Sequence, residues 1–597
     1  MSARPDVAEA LFGYVPVGQQ AETDVEAVIE MLMDPDGIAE AVLRLSRPEV
    51  QVLMALTGAA EKVHGGLDDR FGEPGFADLV RGGGGRIGPV EVFSVLSMAG
   101  GAVVVDPRSA RAALCESLTG AALSAAVEEF DRILGRLTDS CLVWPEPGGR
   151  AFRVHYAVLG LLPEPGPGWD GFDLVQPPPG VGRRVAAADV DGEAQAAVTA
   201  ALECAERLLR CVATDAVPLL KAGGVGTREV KRLVRAGGLA EEAIRFWLYV
   251  VENAGLVVCQ NGRLLATPEY DQWITDEPSR RYAVLLGAWL ALPTSVLGPF
   301  ALTDAAGKPL AVLSDSAFDG VGHYVRTVVL ELMAACGAEA VADVASVADA
   351  LMWRMPLLMA GQEVAVAAVA TVLAEGSLLG AVAFGALAPV VRTLVTKSQD
   401  DVSAVAADFA AALSATVPAP VDQVRLQGDM TVVAAGLPSA RLAAFFDGAA
   451  DREAASAATV WRITDGSVRR WLDSGRSAEE FRSGLAEFCA DKPSQALDYL
   501  IEDADRRHGL VDVIAARAVI VALDEQLGAE LATVPSLIRL GVRRIAETVL
   551  VLDAPQQEVL SVLRFAGYLP TAHEADGTLT VAMVAAPRAS SEALPRF

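Results

Sequence analysis

VPLLKAGGVGTREVKRLVRAGGLAEEAIRFWLYVVENAGLVVCQNGRLLATP, residues 217–268, is the stretch whose pattern sets the fold. Val217 to Lys221 is a short extended run, and Gly223, Gly224 and Gly226 make the loop after it. Thr227 opens a helix carrying Arg228, Lys231, Arg232 and Arg235. Glu241 to Ala254 is a second helix, and Gly255 suits the residue that ends it. Leu256 to Cys259 and Leu264 to Ala266 read as strands around Asn261-Gly262, a strong hairpin turn signal. Two helices and a hairpin make a helix-turn-helix with a wing.

The outline recurs on both sides. Upstream, Asp131 to Asp139 reads as a helix, Cys141 to Trp144 as a strand and Phe152 to His155 as its return. Downstream, Val364 to Val395 reads as a degenerate third copy, with a break at Gly376 and short strands around Gly385. PEPGPGWDGFDLVQPPPG, at 163–180, is the dense part of a Pro/Gly-rich linker over 163–190. The expected layout is a helical, winged-helix-like region at 1–162, the linker, a winged-helix-like domain at 191–300, and a helical region with the degenerate copy at 301–420.

From 421 the texture changes. Val424 to Ala435 and Thr459 to Ile463 read as strands, and Ser477 to Glu480 as a capping box. Pro493 starts a helix that runs to His508-Gly509. Leu510 to Val513 and Thr548 to Leu552 read as strands, and Gln556 to Ala566 as a last helix. Residues 421–597 are therefore read as a C-terminal mixed α/β domain. The fold class is α+β, predominantly helical, with tandem winged-helix-like units ahead of that domain.

The chain has 597 residues, 52% of them apolar and 21% charged, enough for several cores and too apolar for wholesale disorder. Its 49 Lys and Arg against 77 Asp and Glu give a net charge of −28. Such a field repels phosphate at long range, so any nucleic-acid contact needs a local basic face. Seven Cys form no CxxC pair, which fits a reducing, cytoplasmic compartment. No secretory leader is read at the N-terminus. Val364 to Val391 is interrupted by Glu375, Gly376, Gly380, Gly385 and Pro389, whereas a spanning helix needs about 20 apolar residues in a row. It is read as a buried helix and a short ribbon, with no membrane.

The motifs of catalysis are missing. There is no GxxxxGK[ST]; Ala306-Gly307-Lys308-Pro309 puts Pro where a magnesium-binding hydroxyl belongs. There is no HExxH, GxSxG or strand-linked GxGxxG. Asp505 and His508 stand three apart, but a solvated helix end explains them better than a metal does. No catalytic residue, metal or cofactor is expected, and the chain is read as non-enzymatic.

Three basic features remain. Arg228, Lys231, Arg232 and Arg235 follow i, i+3, i+4, i+7 spacing and share one helical face. Arg469 and Arg470 sit in a short helix after a strand, and Arg506 and Arg507 end the Pro493 helix. Each can meet phosphate; each also serves as a solvated, well-capped helix surface.

Leu426-Gln427-Gly428-Asp429-Met430-Thr431-Val432-Val433, the segment Trp461 to Gly475 and the segment Pro493 to Gly509 carry a resemblance. Their order and spacing resemble the helicase-associated domain of actinobacterial proteins related to XPB-type helicases, over about 421–570. Gln427 and Asp429 are its hallmarks, and Gly428 departs from the usual residue between them. The resemblance implies kinship with the N-terminal, damage-recognition-like region of those helicases. It implies a DNA-binding or DNA-repair accessory role on Gln427, Asp429, Arg469, Arg470, Arg506 and Arg507. The implied partners are duplex or forked DNA and a helicase or other repair protein. The competing reading is an interaction scaffold of winged-helix modules without DNA contact. A contiguous cation face free of carboxylates favours the first; cations neutralised by Asp and Glu favour the second.

Overall fold

The computed structural model describes residues 35–64, 102–140, 142–145, 151–164, 166, 168–297, 310–314, 320–359, 361–396, 402–453, 459–508, 515–568 and 570. The tip of the first hairpin, the Ala306 to Pro309 run and the strand expected at Leu510 to Val513 lie outside these residues.

The first unit opens with α1 (Pro35–Leu43) and α2 (Arg47–His64), then β1 (Ala102–Val105), α3 (Pro107–Leu114), α4 (Gly120–Asp139), β2 (Val143–Pro145) and β3 (Phe152–His155). The Ser46 N–H and hydroxyl both donate to the Glu49 carboxylate at the start of α2, at 2.8 and 2.6 Å, as the Ser-Arg-Pro-Glu sequence directs. Phe130, Ile133, Leu134 and Leu137 on one face of α4 close the core against Leu53 and Leu56 of α2.

The linker is held in place. Arg47 pairs with Asp173, whose backbone N–H donates to Gln51 at 2.9 Å and whose carbonyl accepts from Trp353 at 3.0 Å. Part of the 163–190 range is regular structure. β4 (Val181–Arg184) lies within it, and α5 (Ala187–Thr214) begins there.

After α5 come β5 (Val217–Pro218), α6 (Thr227–Gly237), α7 (Glu241–Asn253), β6 (Val257–Gln260), β7 (Arg263–Ala266) and α8 (Pro278–Ala291). Asn261 and Gly262, with φ of 52° and 73°, supply the left-handed pair that the two-residue turn requires. The third unit follows: α9 (Gly322–Ala335), β8 (Ala340–Ala342), α10 (Val344–Arg354), α11 (Gln362–Leu379), β9 (Val382–Ala383), β10 (Ala386–Leu387), α12 (Pro389–Thr396) and α13 (Val402–Thr416). The expected break at Gly376 is absent. α11 runs through it, because Gly376 is a packing site where a Cβ would meet Val382 Cγ2 at 2.7 Å.

Gly380 ends α11 instead, at φ 71°, with its missing Cβ 2.7 Å from the Ala194 carbonyl of α5. Gly380→Ala combines left-handed strain with overpacking. It should lower stability by about 1–3 kcal/mol in a denaturant titration; an unchanged midpoint would refute the close approach.

The boundary read at 300/301 falls inside one interior. A single core runs from Val190 to Leu437 and takes in Trp247, Tyr282, Trp289, Leu330, Leu351 and Val391. α5 packs on α6, α7, α8, α11 and α13, so residues on both sides of that boundary bury against one helix. α11 is the one helix among the described residues long and apolar enough to cross a membrane. It packs on α5, α9 and α10 and carries a fully buried, paired Glu375.

Residues 421–568 hold two cores. The first surrounds a four-stranded sheet ordered β11-β12-β14-β13: β11 (Arg425–Leu426), β12 (Thr431–Ala434), α14 (Ala440–Ala449), β13 (Asp451–Glu453), β14 (Thr459–Arg462), α15 (Asp465–Asp473), α16 (Ala478–Phe488) and α17 (Gln495–Arg507). The Val424 to Ala435 strand is broken by a turn at Gln427 to Met430, where Met430 takes φ 67°. Ser477 and Glu480 form the capping box as read. The second core holds β15 (Ala518–Val521), α18 (Glu525–Thr533), α19 (Pro535–Arg539), β16 (Arg543–Ala546), β17 (Val549–Leu552) and α20 (Gln556–Phe565).

One topology recurs. Strand, helix, helix, strand, strand, with the last strand central, describes β1-β3-β2, β5-β7-β6 and β15-β17-β16. The third unit repeats the element order, with β10 beside β8. The last copy is one that hydropathy did not reveal.

Candidate nucleic-acid interface

α6 is amphipathic. Val230, Leu233 and Gly237 face the core, which turns Arg228, Lys231 and Arg235 to solvent. Arg232 is half-buried and neutralised, 2.9 Å from Asp215 and 2.7 Å from Glu229. Arg228, Lys231 and Arg235 have no ion-pair partner among the described residues, so the stripe read as four cations presents three.

α7 is placed differently from a reading helix. In a helix-turn-helix the second helix enters the major groove. Here Ile244, Phe246, Trp247, Leu248, Tyr249, Val250 and Val251 are all buried, and α8 packs over it. Its first turn holds Glu241 and Glu242, and Arg245 pairs with Glu241 at 3.1 Å. The surface left to this helix pair is the α6 stripe, suited to phosphates rather than base edges.

The other basic positions are paired. Arg469 meets Asp465 at 2.6 Å, Arg470 meets Asp451, and Arg506 and Arg507 both reach Asp503, Arg507 at 2.7 Å. His508 lies 3.2 Å from Asp473 on α15 rather than beside Asp505. Gln427 and Asp429 shape the turn between β11 and β12. The Gln427 N–H donates to Thr431 at 2.8 Å, and Asp429 accepts from the Thr431 N–H at 3.1 Å. The hydrogen bonds from Thr431 hold the Asp429 carboxyl below its ordinary range, and Arg462 adds to this. Among the described residues no three His, Cys, Asp or Glu gather at metal-binding distance.

An ionic hub escaped the sequence reading. Glu206 of α5 is buried and meets Arg281 at 2.7 Å, Arg210 at 2.8 Å and Arg452 of β13. Arg210 also reaches Asp447 of α14, which accepts from Trp461 Nε1 at 2.8 Å. Burial works to raise the Glu206 carboxyl, but Arg281, Arg452 and Arg210 outweigh it and hold it at about 2. The hub joins the long core to the four-stranded sheet. The i, i+4 pair Glu206/Arg210 is its one local sequence signal; Arg281, Asp447 and Arg452 arrive from distant segments.

The sheet that the hub grips is also the part of the chain with recognisable kin. Residues 424–546 match a protein family described as the helicase conserved C-terminal domain. The match spans about a fifth of the chain and runs from the four-stranded sheet to the end of β16. This region is helicase-related, and the relation links it to nucleic-acid work. No curated protein matches the chain.

Proposed function

We propose that the chain is a non-enzymatic, helicase-related accessory protein of DNA metabolism or repair, working in a reducing cytoplasm. The family match at 424–546 carries this reading, and the resemblance of the same segment to XPB-type helicase relatives gives it direction. The shared strand order of the repeated units supports treating them as winged-helix modules. DNA contact falls to Arg228, Lys231 and Arg235, which grip the backbone without reading sequence.

The test is fluorescence anisotropy with duplex, forked and single-stranded DNA at about 50 and 200 mM salt. Changing Arg228, Lys231 and Arg235 together to Ala removes about three phosphate contacts. The slope of log K against log salt should then fall by about 2–3. Absence of binding at the lower salt, or an unchanged slope in the variant, would overturn the DNA reading.

One observation favours a second reading. Arg232, Arg469, Arg470, Arg506 and Arg507 are neutralised by nearby carboxylates. If DNA fails to bind, the chain is a protein scaffold, and the helicase-related region is the bait for a pull-down.

A further inference from the structure

The last unit ends its sheet in two different ways. On one side β16 carries Arg543 and Arg544 and a bulge before Ala546, devices that discourage strand addition. On the other side β15 has neither. Its sequence from Arg517 is Arg-Ala-Val-Ile-Val-Ala-Leu, with no charge between Ala518 and Leu523.

The ladder fixes which backbone groups of β15 have no partner among the described residues. Ala522 N–H donates to the Thr548 carbonyl at 2.7 Å, and Ile520 lies opposite Leu550. Even-numbered residues therefore bond to β17, and Val519 and Val521 point their N–H and C=O groups away from the sheet. Their side chains share the outer face and are 58% and 73% exposed, while Ala518 and Ala522 face the core. Leu523, 90% exposed, extends the apolar edge.

We propose that β15 pairs antiparallel with β15 of a second copy of this chain, Val519 lying opposite Val521 of the partner subunit. This register suits the edge for three reasons. The outward groups of Val519 and Val521 face those of their partners, giving four backbone hydrogen bonds about a two-fold axis at Ile520. The exposed valines of both copies form one apolar stripe across a six-stranded sheet. Arg517 comes opposite Leu523 of the partner subunit, next to Asp524 of the partner subunit, so each end of the pairing brings opposite charges together.

Sedimentation velocity on the full chain across the micromolar range tests this, together with hydrogen exchange at the same concentrations. The expected mass rises from 62.3 kDa towards twice that value. The Val519 and Val521 amides should gain protection in step with it. Val519→Pro removes an outward N–H that the monomer's ladder does not use, so the fold survives and the doubling is lost. Val521→Lys does the same by placing a charge in the stripe, and covers the case in which the proline variant fails to fold. Four outcomes overturn the proposal: a monomer at every concentration, a dimer that survives both variants, a dimer with unprotected edge amides, or edge amides protected in a monomer. The last would mean that another part of the same chain covers the edge.

Discussion

Glu375→Ala should lower the stability of the long central core by about 3–5 kcal/mol. Glu375 and Arg326 are 0% and 1% exposed and lie 3.1 Å apart between α11 and α9. Glu375 also accepts from Trp289 Nε1 at 2.9 Å and from the Val296 and Leu297 N–H groups at 2.7 and 3.1 Å. Arg326 donates to the Leu292 carbonyl at 2.8 Å. Removing the carboxylate strands a buried guanidinium and three N–H donors. Urea unfolding read by tryptophan fluorescence suits the test, because Trp289 touches the site. Replacing both partners by Met should recover part of the loss, since the desolvation cost of both charges disappears. A loss below about 1 kcal/mol in the single variant would show that water reaches the pair.

The second large effect is acid release of the Glu206 hub. The carboxyl sits at about 2 in the fold against an ordinary 4.5. A depressed carboxyl stabilises the fold above its unfolded value and loses that contribution as pH falls. The hub's share is therefore complete above about pH 4.5 and lost towards pH 2. It amounts to roughly 3 kcal/mol. Acid titration monitored at Trp461, which donates to Asp447 in the same hub, should show a transition in that window. Glu206→Gln should be less stable at neutral pH and should flatten the transition. An identical acid profile in both proteins would place the acid sensitivity elsewhere.

Much of the fold was legible because local chemistry wrote it. The Asn261-Gly262 turn, the Ser477 capping box and the helix periodicity each need only neighbouring residues. What was hidden depends on distance in space. Gly376 and Gly380 look alike in sequence, yet one is packed inside a helix and the other ends it, as Val382 and Ala194 decide. Arg228, Lys231 and Arg235 lie on the exposed face of α6, but the loss of Arg232 to Asp215 could not be read from spacing. The burial of α7 under α8 was equally invisible, because an apolar helix gives no hint of what covers it. The resemblance pointed to the N-terminal region of XPB-type helicases, whereas the matching family is described as a helicase C-terminal domain. Helicase kinship is the common ground.

α5 has a consequence of a different kind. Ala194, near its start, seats the turn after α11, while Glu206 and Arg210, towards its end, grip the helicase-related sheet. Twelve residues to Glu206 and sixteen to Arg210, at 1.5 Å each, put the two grips about 18–24 Å apart. The helix is a metering rod, and its gauge is written in residue count. One inserted residue would swing one grip about 100° around the axis relative to the other, breaking both partnerships at once. Eleven inserted residues, close to three full turns, would keep the bearing and lengthen the rod by about 16 Å. Evolution can therefore rescale this molecule only in whole turns.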